Sequence, residues 1–155
     1  MSDNVKEIIK QLKDEGSVFR LLGEDEIDRV ASYFEVINFP AGSILPDPDV
    51  PFEVLAIMIS GEVVVERETE MKGTPVALSR ITRGALITHP SMFAVNQLPF
   101  KGKVKKDAAF IGINRESFDI FLTDQPEIGI KFLKELIRVL ITRFQKLADR
   151  FSGFF

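Results

Sequence analysis

The sequence predicts a mainly β domain of jelly-roll or barrel type, with helices before it and one long helix after it. Apolar residues alternate with a period of two from Val36 to Ile113. Glycine follows or interrupts a short apolar run in "PAGSIL", "ISGEVVV" and "RITRGALI". Both flanks of this region have the helical period instead. Short strands at regular spacing favour a jelly roll over a parallel sheet, so the expected class is a β domain flanked by helices.

Residues 1–35 predict two N-terminal helices. Apolar residues recur at helical spacing in the first, and Gly16 is placed to end it. Glu24 opens three consecutive acidic residues, which suit the positive end of a helix dipole. The apolar stripes are Val5, Ile8, Ile9 and Leu12 in the first helix, then Ile27, Val30, Ala31 and Phe34 in the second.

Residues 36–113 predict the β region of the domain. Strands are expected at 36–39, 43–46, 53–59, 62–68, 75–82, 86–88, 103–106 and 108–113. Glycine adopts positive φ without penalty, so Gly42, Gly61 and Gly84 are interpreted as the turns of hairpins. Lys72-Gly73 predicts a further hairpin between the strands on either side.

Residues 114–155 predict a short helix followed by a long one from about Pro126 to Arg150. Its apolar residues follow a 3-4 spacing over more than three heptads, as in a coiled-coil seam. The seam consists of Ile130, Leu133, Ile137, Leu140, Phe144, Leu147, Phe151 and Phe154. We expect a homodimer with Ile137, Leu140, Phe144 and Leu147 at its interface. The alternative is a single amphipathic helix that lies wholly on its own domain.

Composition limits the class of protein. A chain of 155 residues with 45% apolar and 28% charged residues fits a single globular domain, here expected to span 1–155. It has no cysteine, which excludes disulfides, zinc–thiolate sites and thiol catalysis. The N-terminus is charged throughout, and the longest apolar run, Val54–Ile59, is too short to span a bilayer. The expected location is the cytoplasm, without membrane association.

The residues offer no catalytic or metal centre. His89 is the only histidine, whereas a cupin-type metal site on a β barrel needs two or three histidines and a carboxylate. Neither a Gly-x-Ser-x-Gly elbow nor a phosphate-binding loop is present. The chain is therefore expected not to be an enzyme and to hold no metal.

The order "PAGSIL", "ISGEVVV" and "INRESFDIFLTDQPEIGIKFL", flanked by helices, resembles the cyclic-nucleotide-binding domain family. The resemblance to these catabolite activator protein-like regulatory domains covers about Phe19 to Arg150. It implies a β-roll, a role in signal transduction and a C-terminal helix that often forms a parallel dimer. Transcription factors of the family continue into a helix-turn-helix domain, whereas this sequence ends at Phe155. We therefore expect no DNA-binding domain and no DNA partner.

The resemblance also locates the ligand site, whose residue pattern has changed. Members of the family bind the cyclic phosphate through Gly-Asp, Gly-Glu and an Arg, in this order along the chain. The Arg makes a bidentate contact with the phosphate oxygens, and the Glu accepts a hydrogen bond from the ribose hydroxyl. The matching residues here are Gly84, Ala85, Thr88, His89 and Phe100, with Lys101 next to Phe100. Only the first glycine is kept, and a lysine does not reproduce the bidentate fork. The resemblance implies a degenerate cassette and no bound cofactor. Binding of a cyclic nucleotide is the alternative.

Lys101, Lys103 and Lys105 are expected on one face of a strand. That face is either an anion site, for a phosphate or the acidic surface of a protein partner, or a solvated strand face, and the second is favoured.

Three hypotheses of function follow. The favoured one is a non-enzymatic regulatory or sensor module, dimeric, with lost or altered nucleotide binding. The second is a genuine cyclic AMP or cyclic GMP sensor that uses Lys101 and backbone amides. The third is a ligand-free structural dimerisation module.

Overall fold

The computed structural model describes residues 2–45, 53–67, 73, 75–94 and 100–152. They form two compact units, residues 1–31 with 120–155 and residues 32–119. The helices are α1 (Ser2–Asp14), α2 (Glu24–Val30), α3 (Arg115–Asp124) and α4 (Pro126–Ser152), with short 3₁₀ turns at Ala31–Tyr33 and Pro90–Phe93. The strands are β1 (Glu35–Phe39), β2 (Ile44–Leu45), β3 (Val54–Arg67), β4 (Val76–Ile81), β5 (Leu86–Thr88) and β6 (Phe100–Asn114).

In the described part of the second unit, six strands form an antiparallel sheet. Its main order is β1-β6-β3-β4, with β2 also paired to β6 and β5 also paired to β3. The two long strands, β3 and β6, pair along almost their whole length, from Val54 opposite Asn114 to Arg67 opposite Phe100. The predicted class, an antiparallel β-roll with flanking helices, is confirmed.

The predicted hairpin at Ser60-Gly61 is wrong, because β3 is one strand that passes through Gly61. The register of β3 against β6 shifts there, and Gly61 has φ of +96°. A Cβ at this position would lie 2.4 Å from the carbonyl oxygen of Asp107 on β6. Even-numbered Met58 and odd-numbered Val63 both face the same apolar core, so the irregularity reverses which residues of β3 point inward.

The expected turn at Pro40-Ala41-Gly42 is also not a hairpin. β1 and β2 both pair with β6, and the register continues unchanged from Phe39 opposite Ala108 to Ile44 opposite Lys103. Residues 40–43 form a hydrogen-bonded turn within that run: the N–H of Ser43 donates to the carbonyl of Pro40 at 3.1 Å, and the N–H of Gly42 donates to that of Val104 on β6 at 2.8 Å. β6 is itself a single strand, not the two strands predicted at 103–106 and 108–113. The predicted pairing of β3 with β4 is confirmed.

The interior of the β unit is apolar. Its buried cluster consists of Leu45, Ala56, Met58, Val63, Val104, Ala108 and Phe110, with Ile37, Phe39, Ile81 and Ile87 packed against it. The rings of Phe39 and Phe110 meet edge to face at 6.0 Å. Among the described residues of this unit, no polar or charged side chain is buried.

The helical unit has its own core around Phe132 of α4. The rings of Phe19 and Phe121 lie 5.9 and 5.8 Å from that of Phe132. Gly16, at φ +82°, ends α1 as predicted: its N–H and that of Ser17 return to the carbonyls of the last turn, as in a Schellman motif.

The two halves of α4 differ in burial. Ile128, Phe132, Glu135 and Leu136 are buried, whereas every residue from Leu140 to Ser152 is exposed. The large apolar side chains exposed on the second half are Ile137, Leu140, Ile141, Phe144, Leu147 and Phe151. None of the residues that the structure describes buries these side chains.

Candidate functional site

The segment that matches the phosphate cassette begins at a turn whose backbone groups bond within the protein. Gly84 has φ of +86°, and its N–H donates to the carbonyl of Met58 at 2.8 Å. The N–H of Ala85 donates to the carbonyl of Thr82 at 3.1 Å, and its carbonyl accepts from Met58 at 3.0 Å. The first two amides of the cassette are therefore engaged by β3 and by the turn itself.

The next cassette residues lie beside the start of β3. Thr88 ends β5 opposite Leu55, is exposed, and its hydroxyl donates to the carbonyl of His89 at 3.3 Å. The N–H of His89 reaches the carbonyl of Val54 at 3.4 Å, a long bond, and that of Met92 donates to His89 at 3.0 Å. The 3₁₀ turn from Pro90 to Phe93 has four residues and is too short for a helix dipole of any strength.

The last two cassette residues lie beside the other end of β3. Phe100 pairs with Arg67, and Lys101, which is exposed, pairs with Glu66. The structure thus places the six candidate residues in two groups, one beside each end of β3. Residues 95–99, which connect the groups, lie outside the described residues.

The lysine-rich face of β6 is balanced by carboxylates from β3. Lys103 lies 3.2 Å from Glu66, and Lys106 lies 3.9 Å from Glu62. Glu62 also pairs with Arg80 of β4 at 2.9 Å. This alternation of cations and carboxylates across three strands supports the solvated-face interpretation over an anion site.

A cavity of about 830 Å³ opens at the β1 side of the β unit. Among its described lining residues, the charged ones are three carboxylates, Glu35, Glu53 and Glu116, and one cation, Arg115. None of the six cassette residues is among its described lining residues. This excess of carboxylates at the opening of the cavity disfavours the binding of a phosphate.

The second candidate site is the exposed face of α4. Ile137, Leu140, Phe144 and Leu147, the predicted interface residues, lie on it and all are exposed. Cations lie on the remaining surface of the helix, at Arg138, Arg143, Lys146 and Arg150. The face begins directly after the last buried turn of α4.

That last turn holds a charged cluster that sequence reasoning missed. Glu135 is 2% exposed, and both its oxygens accept from Arg20, at 2.8 and 3.2 Å. Arg138 donates to the same carboxylate at 2.7 Å. The available signal was a single acidic residue inside the apolar stripe of α4, between Phe132 and Leu136.

Hydrogen bonds set the ionisation of two carboxyls in this unit. The hydrogen bond from Arg20 holds the pKa of Glu135 below its ordinary value, and Arg138 adds to this against the opposing effect of burial. The pKa of Glu26 is lowered by the Gly23 backbone N–H and by Lys131, whose Nζ lies 2.8 and 3.0 Å from the carboxylate oxygens. Both groups are charged at neutral pH.

The described ranges contain neither a membrane-spanning helix nor a cluster of metal ligands. No helix there is long and apolar enough to cross a membrane. No group of three or more His, Cys, Asp or Glu side chains in that part of the chain is arranged to hold a metal ion.

No protein-family model matches the sequence, and no curated protein matches it either. Solved structures do match. A cyclic nucleotide-binding domain from Methylobacillus flagellatus KT superposes with a TM-score of 0.81 at 23% identity, over 99% of this chain and 86% of that one. The Thermus thermophilus catabolite activator protein superposes with a TM-score of 0.68 at 20% identity, over 88% of this chain and 62% of that one.

The sensor domain of the transcriptional regulator DNR from Pseudomonas aeruginosa gives a TM-score of 0.64 at 16% identity, over 93% of each chain. A structure of cAMP-bound PfPKA-R also matches, with a TM-score of 0.59 at 16% identity, over 76% of this chain and 41% of that one. The chain therefore has the fold of cyclic-nucleotide-binding domains, and the resemblance drawn from its motifs is confirmed at the level of the fold.

Proposed function

We propose that this chain is a non-enzymatic regulatory module with a cyclic-nucleotide-binding-domain fold, that it forms a homodimer through the exposed face of α4, and that its nucleotide site is lost or altered. The observation that carries the proposal is the apolar face on the second half of α4. The cytoplasmic location stays a prediction.

The dimer is supported by the pattern and the exposure of that face. Ile137, Leu140, Phe144, Leu147 and Phe151 keep the 3-4 spacing of a coiled-coil seam, and all are exposed within the chain. Monomeric proteins rarely leave a continuous apolar surface of this kind in water. A two-fold axis along α4 would bury each side chain against the same surface of a second copy, as an isologous interface requires.

Altered nucleotide binding is supported by the cassette and by the interior of the β unit. A cyclic nucleotide needs convergent polar groups for its sugar and its phosphate. The described interior is apolar, and the amides of Gly84 and Ala85 already donate within the protein. Thr88 and His89 stand where the family has Gly-Glu, and Phe100 stands where it has Arg.

The first experiment is sedimentation velocity at micromolar concentration. We expect a dimer for the wild type and a folded monomer for the double variant Leu140→Glu/Phe144→Glu, because unpaired carboxylates would be buried at the axis. Thr142→Glu is the matched control, since Thr142 is exposed on the opposite side of the helix. A wild-type mass of one chain contradicts the dimer, as does a double variant that sediments like the control.

The second experiment separates the alternatives by calorimetric titration with cyclic AMP, cyclic GMP and cyclic dinucleotides. The loss of two charge-assisted bonds predicts a cyclic AMP dissociation constant weaker than about 100 μM, taking a micromolar site as the reference. Saturable binding near 1 μM, abolished by Lys101→Ala, would instead establish a genuine nucleotide sensor. A dimer that binds none of these nucleotides fits both the proposal and a ligand-free structural module. Only a response to some other signal separates these two.

A further inference from the structure

The buried carboxylate of Glu135 ties α4 to the turn that follows α1. Arg20 lies in that turn and binds both oxygens of Glu135, as described above. Arg138 binds the same carboxylate through Nε, and its Nη2 donates to the carbonyl of Gly16 at 3.0 Å. Two guanidinium groups and one carboxylate thus connect both ends of the turn, residues 16–20, to one turn of α4.

Hydrogen bonds and a buried side chain fix the conformation of the turn itself. Ser17 accepts from the N–H of Phe19 through its hydroxyl and from that of Arg20 through its carbonyl, at 3.2 and 3.0 Å. Phe19 is fully buried against Phe132, one helical turn before Glu135. The turn therefore contacts α4 through an apolar side chain and, one turn later, through the charged cluster.

The cluster occupies the last position at which α4 is buried. Glu135 and Leu136 are buried, Ile137 is 56% exposed, and all described residues from Leu140 onward are exposed. The exposed segment from Ile137 to Ser152 is about 24 Å long at the rise of an α-helix. A change of about 10° in the direction of α4 at the cluster would move its end by about 4 Å.

We propose that the Arg20–Glu135–Arg138 cluster is a latch that sets the direction of the exposed half of α4, so that the position of the turn at residues 16–20 controls how α4 meets a second copy. The second part of this inference rests on the proposed dimer; the first does not. The physical reason is the burial of the carboxylate. Once Glu135 is charged and out of water, losing either guanidinium leaves its charge poorly compensated, so the turn and α4 move together.

The test uses electron–electron distance measurements on the full chain, which has no native cysteine to compete for label. Spin labels at Gln11→Cys on α1 and Gln145→Cys on α4 occupy exposed positions. Dilution with unlabelled protein restricts the signal to distances within one chain. We expect one narrow distance distribution in the otherwise unchanged protein, and a broadened or shifted one in Glu135→Gln.

Glu26→Gln is the matched control. It makes the same chemical change in another carboxylate that pairs with α4, through Lys131, but it leaves the latch intact. Its distance distribution should be unchanged. If Glu135→Gln does not fold by circular dichroism, Arg20→Met decides, because Arg20 is more exposed and its loss should broaden the distribution in the same way.

The outcomes separate the latch from the proposed dimer. A folded Glu135→Gln or Arg20→Met protein with an unchanged distribution overturns the latch, whatever the oligomeric state. Broadening in a monomeric protein supports the latch and refutes only the dimer. If both proposals hold, sedimentation equilibrium should show a dimer dissociation constant at least about tenfold higher in Glu135→Gln than in Glu26→Gln.

Discussion

Truncating Phe144 offers a quantitative test of the α4 interface. Phe144 is 71% exposed in the chain, so most of its ring is available for burial against a second copy. Full burial of a phenylalanine side chain is worth about 1.5–3 kcal/mol, and a two-fold interface contains the residue twice. Scaled by its exposed fraction, Phe144→Ala should weaken the dimer by about 2–4 kcal/mol, which raises the dissociation constant about 30- to 1000-fold.

The assay is sedimentation equilibrium over a range of concentrations, with chemical denaturation of each variant in parallel. Gln145→Ala is the control, because Gln145 is the next residue and is exposed to one side of the seam. An exposed ring contributes little within the chain, so the free energy of unfolding of the dissociated protein should change by less than about 0.5 kcal/mol. A dissociation constant within about threefold of the control refutes the interface, and a large loss of monomer stability supports a helix docked on its own domain.

Three further predictions concern the rest of the chain. Gly61→Ala should lower the free energy of unfolding by about 2–5 kcal/mol, because it combines positive φ with overpacking against Asp107. Gly84→Ala has open space around it and should lower that free energy by only about 1–2 kcal/mol. Equal losses in denaturant titrations would contradict the overpacking argument. Because the pKa of Glu135 is lowered in the folded state, its contribution to stability is complete above the unfolded pKa of about 4.3 and is lost as pH falls through the folded value. Stability should therefore fall more between pH 6 and pH 3 in the wild type than in Glu135→Gln, and parallel pH curves would count against this. Gel-shift assays at physiological salt should show no sequence-dependent DNA binding by this chain, whose net charge is −3, and a specific band would refute that.

The helices could be predicted from sequence because their period and their end signals are local. The apolar spacing and Gly16 located α1, and Asn114 begins α3 by accepting from the N–H of Ser117 at 2.8 Å. The hairpin interpretation of Gly42, Gly61 and Gly84 was wrong for one physical reason; the strand boundary at Gly42 was right, and β4 and β5 on either side of Gly84 both pair with β3. A glycine at positive φ serves equally in a hairpin, a kink or a strand irregularity, and only the neighbouring strand distinguishes them.

The candidate sites were predictable in part. The 3-4 spacing identified the face of α4, but its exposure depends on how far the first half of the helix is buried. The latch was missed because Arg20 and Glu135 are 115 residues apart in sequence and neither belongs to a motif. The ligand roles of Gly84, Thr88 and Lys101 stay predictions, since they were carried over from a resemblance and depend on titration.

The reversal of β3 at Gly61 restricts which changes of chain length the β-roll can accept. Met58 and Val63 both point inward although their positions differ by an odd number, five, so the spacing between them fixes the orientation of everything that follows in β3. Deleting or inserting one residue in this interval would turn Val63 toward solvent and bring Glu62 and Glu66 toward the apolar interior. Homologues that align without a gap between these positions should therefore keep the roll, and a library of single-residue insertions should show its sharpest loss of folded protein here.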